Sequence, residues 1–212
     1  MPDAEIPQIY LISPPVIDLS SFTPLLQRMM DQVDVACFRL DVSSKDERTI
    51  ALCGDAIREI CHQRDIPVVI ADHPLFVERL GLDGVHLSDG PRNVRALRKE
   101  LGSEAIVGAF CGASRHDGLN AGESGADYVS FGPVGESALG MGERADIDLF
   151  SWWSEMIEVP IVAEGNLDQA LVKTLANTAD FLAFGEEIWA HDDPVAALVD
   201  YANALARVDS IV

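Results

Sequence analysis

The chain has 212 residues, 48% of them hydrophobic, enough apolar material to bury one core of the size that α/β barrels use. Its 35 acidic against 15 basic side chains give a formal charge of −20, which repels nucleic acid and anionic membrane surfaces and leaves a small molecule as the expected partner. Cys37, Cys53, Cys61 and Cys111 form no CxxC pair, no apolar run approaches the roughly 18 residues of a membrane helix, and the opening MPDAEIPQIYLIS lacks a leader pattern, so a cytoplasmic protein with reduced thiols is expected.

The first strand-like run, IYLIS, starts at Ile9 and stops at Ser13-Pro14-Pro15. VACFRLDV follows from Val35, and Ser43-Ser44 before Asp46-Glu47 announce a helix over 45–63. PVVIAD begins at Pro67 and GVHLSD at Gly84, with a helical pattern over 91–101. AIVGAFC begins at Ala105, and Ser114 opens a helix over 114–124. YVSFGPV begins at Tyr128 and leads to a helix over 148–157; PIVAEG begins at Pro160 and leads to a helix over 168–175 opened by Asp168; FLAFGEEIW begins at Phe181. Runs apolar nearly throughout fit parallel strands buried on both faces. Strict alternation of strand and helix predicts right-handed crossovers. Eight strands in a single domain over 1–212 predict a compact (β/α)8 TIM barrel of parallel strands. The alternative, an open doubly wound sheet, would carry a Gly-rich turn where Ser13-Pro14-Pro15 stands.

In a barrel the chemistry sits where the strands end. Asp72, Asp89, Glu164, Glu186 and Glu187 are expected to converge on one acidic mouth, with Arg39 among its few cations. Such carboxylates suit a hard cation such as magnesium, although aspartates at strand ends also cap helices. Arg39, in an apolar strand, should pair with an inward acid such as Asp72 or meet a ligand anion. His86 reads as a hydrogen-bonded core histidine, His116 as an exposed one, and Trp152-Trp153 as packing against the barrel wall. Gly165 and Gly185 would let loop N–H groups approach a phosphate, against repulsion from Glu164, Glu186 and Glu187.

The order of motifs resembles the thiamine-phosphate synthase and TenI family of compact TIM barrels. The resemblance runs from Ile9 to Trp189 through FRLD, IPVVIAD, LDGVHLSD, GADYVSFGPV, VPIVAEGN and ADFLAFGEEIW, of which DGVHL and GADYVSFGPV are the most specific. It implies a magnesium-dependent transferase of thiamine biosynthesis, joining an aminopyrimidine pyrophosphate to a thiazole phosphate with release of pyrophosphate. By the same resemblance Arg39 contacts pyrophosphate, Asp72 and Asp89 hold magnesium, and Ser137, Gly165 and Gly185 lie near the thiazole phosphate. A homodimer is also implied. The chain departs from the family pattern at Asp41, where a basic residue is expected, at Ala71, where an asparagine is, and over 137–140, where SALG replaces a Thr-x-Thr-Lys clamp. Two other readings stay open: a non-catalytic or repurposed barrel holding a small ligand in its acidic mouth, and a TenI-type thiazole isomerase using His116.

Overall fold

The apolar runs become strands. The computed structural model describes residues 6–137, 139 and 143–209. Strands β1 (Gln8–Ile12), β2 (Val35–Leu40), β3 (Val68–Ala71), β4 (Gly84–Leu87), β5 (Ile106–Phe110), β6 (Tyr128–Phe131), β7 (Ile161–Glu164) and β8 (Phe181–Phe184) pair in parallel in chain order. Strand β8 returns to β1, so the sheet closes and the open-sheet alternative is excluded.

The surrounding helices are α1 (Leu19–Met30), α2 (Glu47–His62), α3 (Leu75–Leu80), α4 (Val94–Leu101), α5 (Arg115–Glu123), α6 (Ile147–Met156), α7 (Gln169–Leu175), α8 (Glu186–Trp189) and α9 (Pro194–Asp209). Ser114 and Asp168 cap α5 and α7 as expected, accepting N–H groups of the first turn. The cap of α2 is Asp46, which accepts the Thr49 N–H, and not Ser43 or Ser44. A cap must directly precede the first helical residue, and Ser44 instead accepts the Asp46 N–H. Helices α1, α3, α8 and α9 lie outside the five expected. Two of these are only six and four residues long, and α1 carries Pro24 inside, which blurs the helical period.

An aspartate precedes β4, β6 and β8. Asp83, Asp127 and Asp180 accept the N–H of Val68, Val107 and Ile161 respectively, each at 2.7 Å. Each carboxylate thereby satisfies a donor at the start of the neighbouring strand, pinning register at the end of the barrel away from the mouth.

Side chains alternate strictly between the two sides of the wall. Phe38, Ile70, Val85, Val107, Val129, Phe131 and Leu182 face the helices. Tyr10, Cys37, Val69, Tyr128, Val162 and Ala183 fill the barrel interior. Trp153, 1% exposed, seals the outer layer against Phe131 with ring centroids 5.1 Å apart. Above the inner apolar plug, the same inward parity aims Arg39, His86, Ser130 and Glu164 at one another.

Candidate active site

The inward residues form a buried hydrogen-bonded chain. Arg39 Nη2 donates to Glu164 Oε2 at 2.6 Å, Nη1 meets Oε1 at 3.4 Å, and Ser130 Oγ donates to Oε1 at 2.5 Å. Arg39 Nη1 lies 2.8 Å from His86 Nε2, His86 Nδ1 lies 2.8 Å from Tyr128 Oη, and Tyr128 Oη lies 2.8 Å from Tyr10 Oη. Arginine only donates, so His86 Nε2 must accept. The ring proton therefore sits on Nδ1 and donates to Tyr128, whose hydroxyl in turn shares a hydrogen bond with that of Tyr10. His86 is held neutral: burial, and then the charge of Arg39, push its pKa well below the ordinary range. This is the core histidine expected from sequence, and its ring is fixed as a prop for the guanidinium.

One glycine makes the chain geometrically possible. Gly108 lies between His86 and Tyr128 in the strand register, and a Cβ there would fall 2.0 Å from Tyr128 Cζ. Its missing side chain lets the phenol cross β5 and stack on the imidazole at 5.8 Å.

Arg39 is 4% exposed and Glu164 1%. Burial alone would lower the arginine pKa, but the charge and hydrogen bond of Glu164 together with Tyr10 raise it. The inward acid paired with Arg39 is thus Glu164, correcting the expected pairing with Asp72. Asp41 Oδ2 stands 3.6 Å from Arg39 Nε, at ion-pair but not hydrogen-bond distance.

Above this pair opens a cavity of 670 Å³ at the C-terminal ends of the strands. Ser137, Gly165 and Gly185, the residues expected near a phosphate, all line it, as do Asp41, Glu186 and Glu187. Ile12, Leu139 and Trp189 supply apolar wall, and the Trp189 indole is fixed by donating to the Ile12 carbonyl at 2.7 Å. Gly165 has φ +95, and a Cβ there would lie 2.7 Å from Pro133 Cα, so no larger residue fits. Among the described lining residues, one arginine faces four carboxylates: Asp41, Glu164, Glu186 and Glu187. Burial raises the pKa of Asp41, with Arg39 opposing, and burial likewise raises that of Glu187, opposed by backbone hydrogen bonds.

Those backbone bonds were not legible in the sequence. Glu187 Oε2 accepts the N–H of Gly185 at 3.0 Å, and Oε1 accepts that of Leu167 at 3.1 Å. The N–H of Gly185, expected to approach a phosphate, is thus bonded to a carboxylate of the chain itself, as is that of Leu167 in the loop after Gly165.

Asp72 and Asp89 lie on the other side of the mouth, exposed and outside this cavity. Both Asp72 oxygens face Ser88, one accepting its N–H at 2.9 Å and the other its hydroxyl, while Asp89 accepts from Asn93 at 2.9 Å. Among the described residues no group of three metal-ligating side chains forms. Magnesium needs only one or two carboxylates when phosphate oxygens and water complete its shell, and two exposed oxygen donors flanking Ser88 fit that chemistry. His116 is exposed in the first turn of α5, hydrogen-bonded to Asn120 at 3.0 Å and away from the cavity. Of the SALG stretch, Ala138 and Gly140 fall outside the described residues.

A closed parallel barrel with a largely apolar cavity carrying a few charged groups at its C-terminal mouth is the architecture of a TIM-barrel enzyme. Residues 9–188 match the family model described as thiamine monophosphate synthase. The chain belongs to that family. It is 37% identical to a thiamine-phosphate synthase of Rhodospirillum centenum, covering 93% of this chain and 97% of the relative, and 36% identical to one of Erythrobacter litoralis, covering 97% and 99%. Among solved structures, a thiamine phosphate pyrophosphorylase of Pyrococcus furiosus superposes with a TM-score of 0.81 over 95% of this chain at 19% identity, a likeness of fold.

Proposed function

We propose that this chain is a transferase of the thiamine-phosphate synthase type, joining an aminopyrimidine methyl pyrophosphate to a thiazole phosphate in thiamine biosynthesis. The observation that carries the reading is identity of more than a third, over nearly the whole length, with relatives of that name. The chemistry breaks the C–O bond between the pyrimidine methylene and pyrophosphate and forms a C–N bond to the thiazole nitrogen. Positive charge therefore develops first on the methylene and then on the product ring. The carboxylates of Asp41 and Glu186 suit both positions, because fixed negative charge in a partly desolvated cavity favours a developing cation. Ile12, Leu139 and Trp189 would hold the rings and exclude water, which would otherwise capture the electrophile.

Arg39, fixed by Glu164 and His86 through both terminal nitrogens, keeps an unpaired Nε–H that an oxygen of the substrate would satisfy. Asp72 and Asp89 are the residues that would hold magnesium, which when bound supplies positive charge against the departing pyrophosphate. Ser137, Gly165 and Gly185, which line the cavity, are the residues that would stand near the thiazole phosphate. Purified protein, both precursors and magnesium should yield the coupled product with one pyrophosphate per turnover, and chelation should abolish it. Absence of product with demonstrably folded protein would reject the reading. A second reading, a barrel that binds a small ligand without turnover, is favoured by the excess of acids in the cavity and is selected if a precursor binds but is never converted.

A further inference from the structure

An arginine fork that meets a carboxylate ordinarily closes on it with two parallel hydrogen bonds. Arg39 and Glu164 close on one side only. Nη2 reaches Oε2 at 2.6 Å, whereas Nη1 and Oε1 stand 3.4 Å apart. Each of these two atoms is engaged by a third residue: Nη1 meets His86 Nε2 at 2.8 Å, and Oε1 accepts from Ser130 Oγ at 2.5 Å. Arg39, His86, Ser130 and Glu164 come from four strands, β2, β4, β6 and β7, and all are buried, so these bonds form where water does not compete for them.

The open pair has two consequences. The guanidinium cannot turn toward a symmetric pair without giving up His86, whose ring is itself held by Tyr128 through a hydrogen bond and stacking. The negative charge of Glu164 is also shared with the Ser130 hydroxyl, so Arg39 is neutralised less completely than in a closed fork. Arg39 and Glu164 both line the cavity, and Ser130 lies beneath it without lining it. Ser130 thus acts on the cavity through Glu164 and Arg39.

We propose that Ser130 is a positioning residue of the transfer: by holding Glu164 Oε1 it keeps the buried ion pair open and Arg39 oriented toward the cavity, where negative charge gathers on the departing pyrophosphate. The inference rests on the transferase reading and adds to it a residue that touches no substrate. Without the hydroxyl, Oε1 becomes a buried acceptor lacking its donor, and Arg39 Nη1 stands only 3.4 Å away. The carboxylate then closes on the fork, Nη1 leaves His86, and the guanidinium turns toward Glu164. The fold loses little, because the orphaned oxygen finds a new donor. The reaction loses more, because a closed pair presents less positive charge to the leaving group.

The test compares the wild type with Ser130→Ala and Ser130→Cys. In Ser130→Ala, kcat should fall about tenfold, the scale of one hydrogen bond to a charged group, while KM for the thiazole phosphate stays within about twofold of the wild type. Inorganic pyrophosphate with magnesium, titrated by calorimetry, should bind about tenfold more weakly. In protein carrying 15N-labelled histidine, the Nε2 resonance of His86, assigned by its loss in His86→Gln, should shift as Nη1 withdraws, which a mere packing role for Ser130 would not cause. Ser130→Cys keeps nearly the same volume but donates weakly, so it should follow the alanine variant and replaces it if that variant fails to fold. An unmoved His86 resonance, or turnover and pyrophosphate affinity equal to those of the wild type, overturns the proposal. If the wild type forms no product, the transferase reading fails by itself, and the other two measurements decide the role of Ser130. A shifted resonance together with weakened pyrophosphate binding then supports it, and either one unmoved overturns it.

Discussion

Replacing Glu164 with glutamine changes little volume but removes the countercharge of a guanidinium that is 4% exposed. The ion pair has one contact at 2.6 Å and a second at 3.4 Å, so the charge centres stand about 4 Å apart, worth about 4 kcal/mol at an effective dielectric of about 20. The amide retains one acceptor for Arg39 or Ser130, and Asp41, at 3.6 Å from Nε, offsets part of the loss. The expected loss of stability is therefore about 3 kcal/mol, within the range for breaking a buried pair from one side. Urea unfolding followed by tryptophan fluorescence measures it, with Trp153 buried in the outer layer as reporter. The companion variants are Arg39→Met and the double Arg39→Met/Glu164→Gln. If the pair is the main partner of each charge, the double variant should be markedly more stable than the sum of the single losses, with a coupling of about 2 kcal/mol or more. Additive single effects below about 1 kcal/mol each would refute the reasoning, because two charges so deeply buried do not lose their partner at so small a penalty.

Gly165→Ala should lose about 1–3 kcal/mol and weaken ligand binding, since φ is +95 and the new Cβ meets Pro133 at 2.7 Å. Gly185→Ala, whose Cβ comes no closer than 3.4 Å to the Ile12 side chain, should be tolerated in the same melt. Tyr128→Phe leaves His86 Nδ1–H buried without its acceptor and should lose about 1–3 kcal/mol, read by denaturant titration; a neutral effect would show that the tautomer assigned above is wrong. The folded-state pKa of His86 lies below its unfolded value of 6.5, so the unfolded chain takes up a proton that the folded one refuses. Its contribution is complete above pH 6.5 and is lost below it at about 1.4 kcal/mol per pH unit. Asp41 and Glu187, with raised pKa values, act in the opposite direction as pH falls through their folded pKa values, so the contribution of His86 is read as the difference in slope between wild type and His86→Gln. Parallel slopes below pH 6.5 would contradict a neutral His86.

The residues whose roles could be read from the chain are those whose partners are close in sequence. Ser114 and Asp168 bond donors two or three residues on, so local pattern finds them. Arg39 announces itself as a charge in an apolar strand, but its partner is 125 positions away, one of five acids expected at the same mouth, and position alone pointed to Asp72. Asp72 carries the expected strand-end carboxylate, yet it turns to Ser88 across to the end of β4 and leaves Arg39 to Glu164. Tyr10 and Tyr128 look like ordinary strand aromatics, because a hydroxyl's partner is set by which strands face each other across the interior. Glu187 belonged to an expected acidic rim, and the signal that its carboxylate would fold back was faint: two glycines, Gly165 and Gly185, in the flanking loops.

By itself, the sequence determined the eight strands, their parallel order and the family, because apolar runs and caps act over a few residues. Barrel closure decided the rest. Inward parity brings β2, β4, β6 and β7 to a common axis, and there the low dielectric lets each buried charge keep only a partner that meets it within about 3 Å. Glu164 and Glu187 meet that condition for the guanidinium and the loop donors. A mouth that sequence resemblance equips for phosphate is, in three dimensions, already bonded to its own carboxylates.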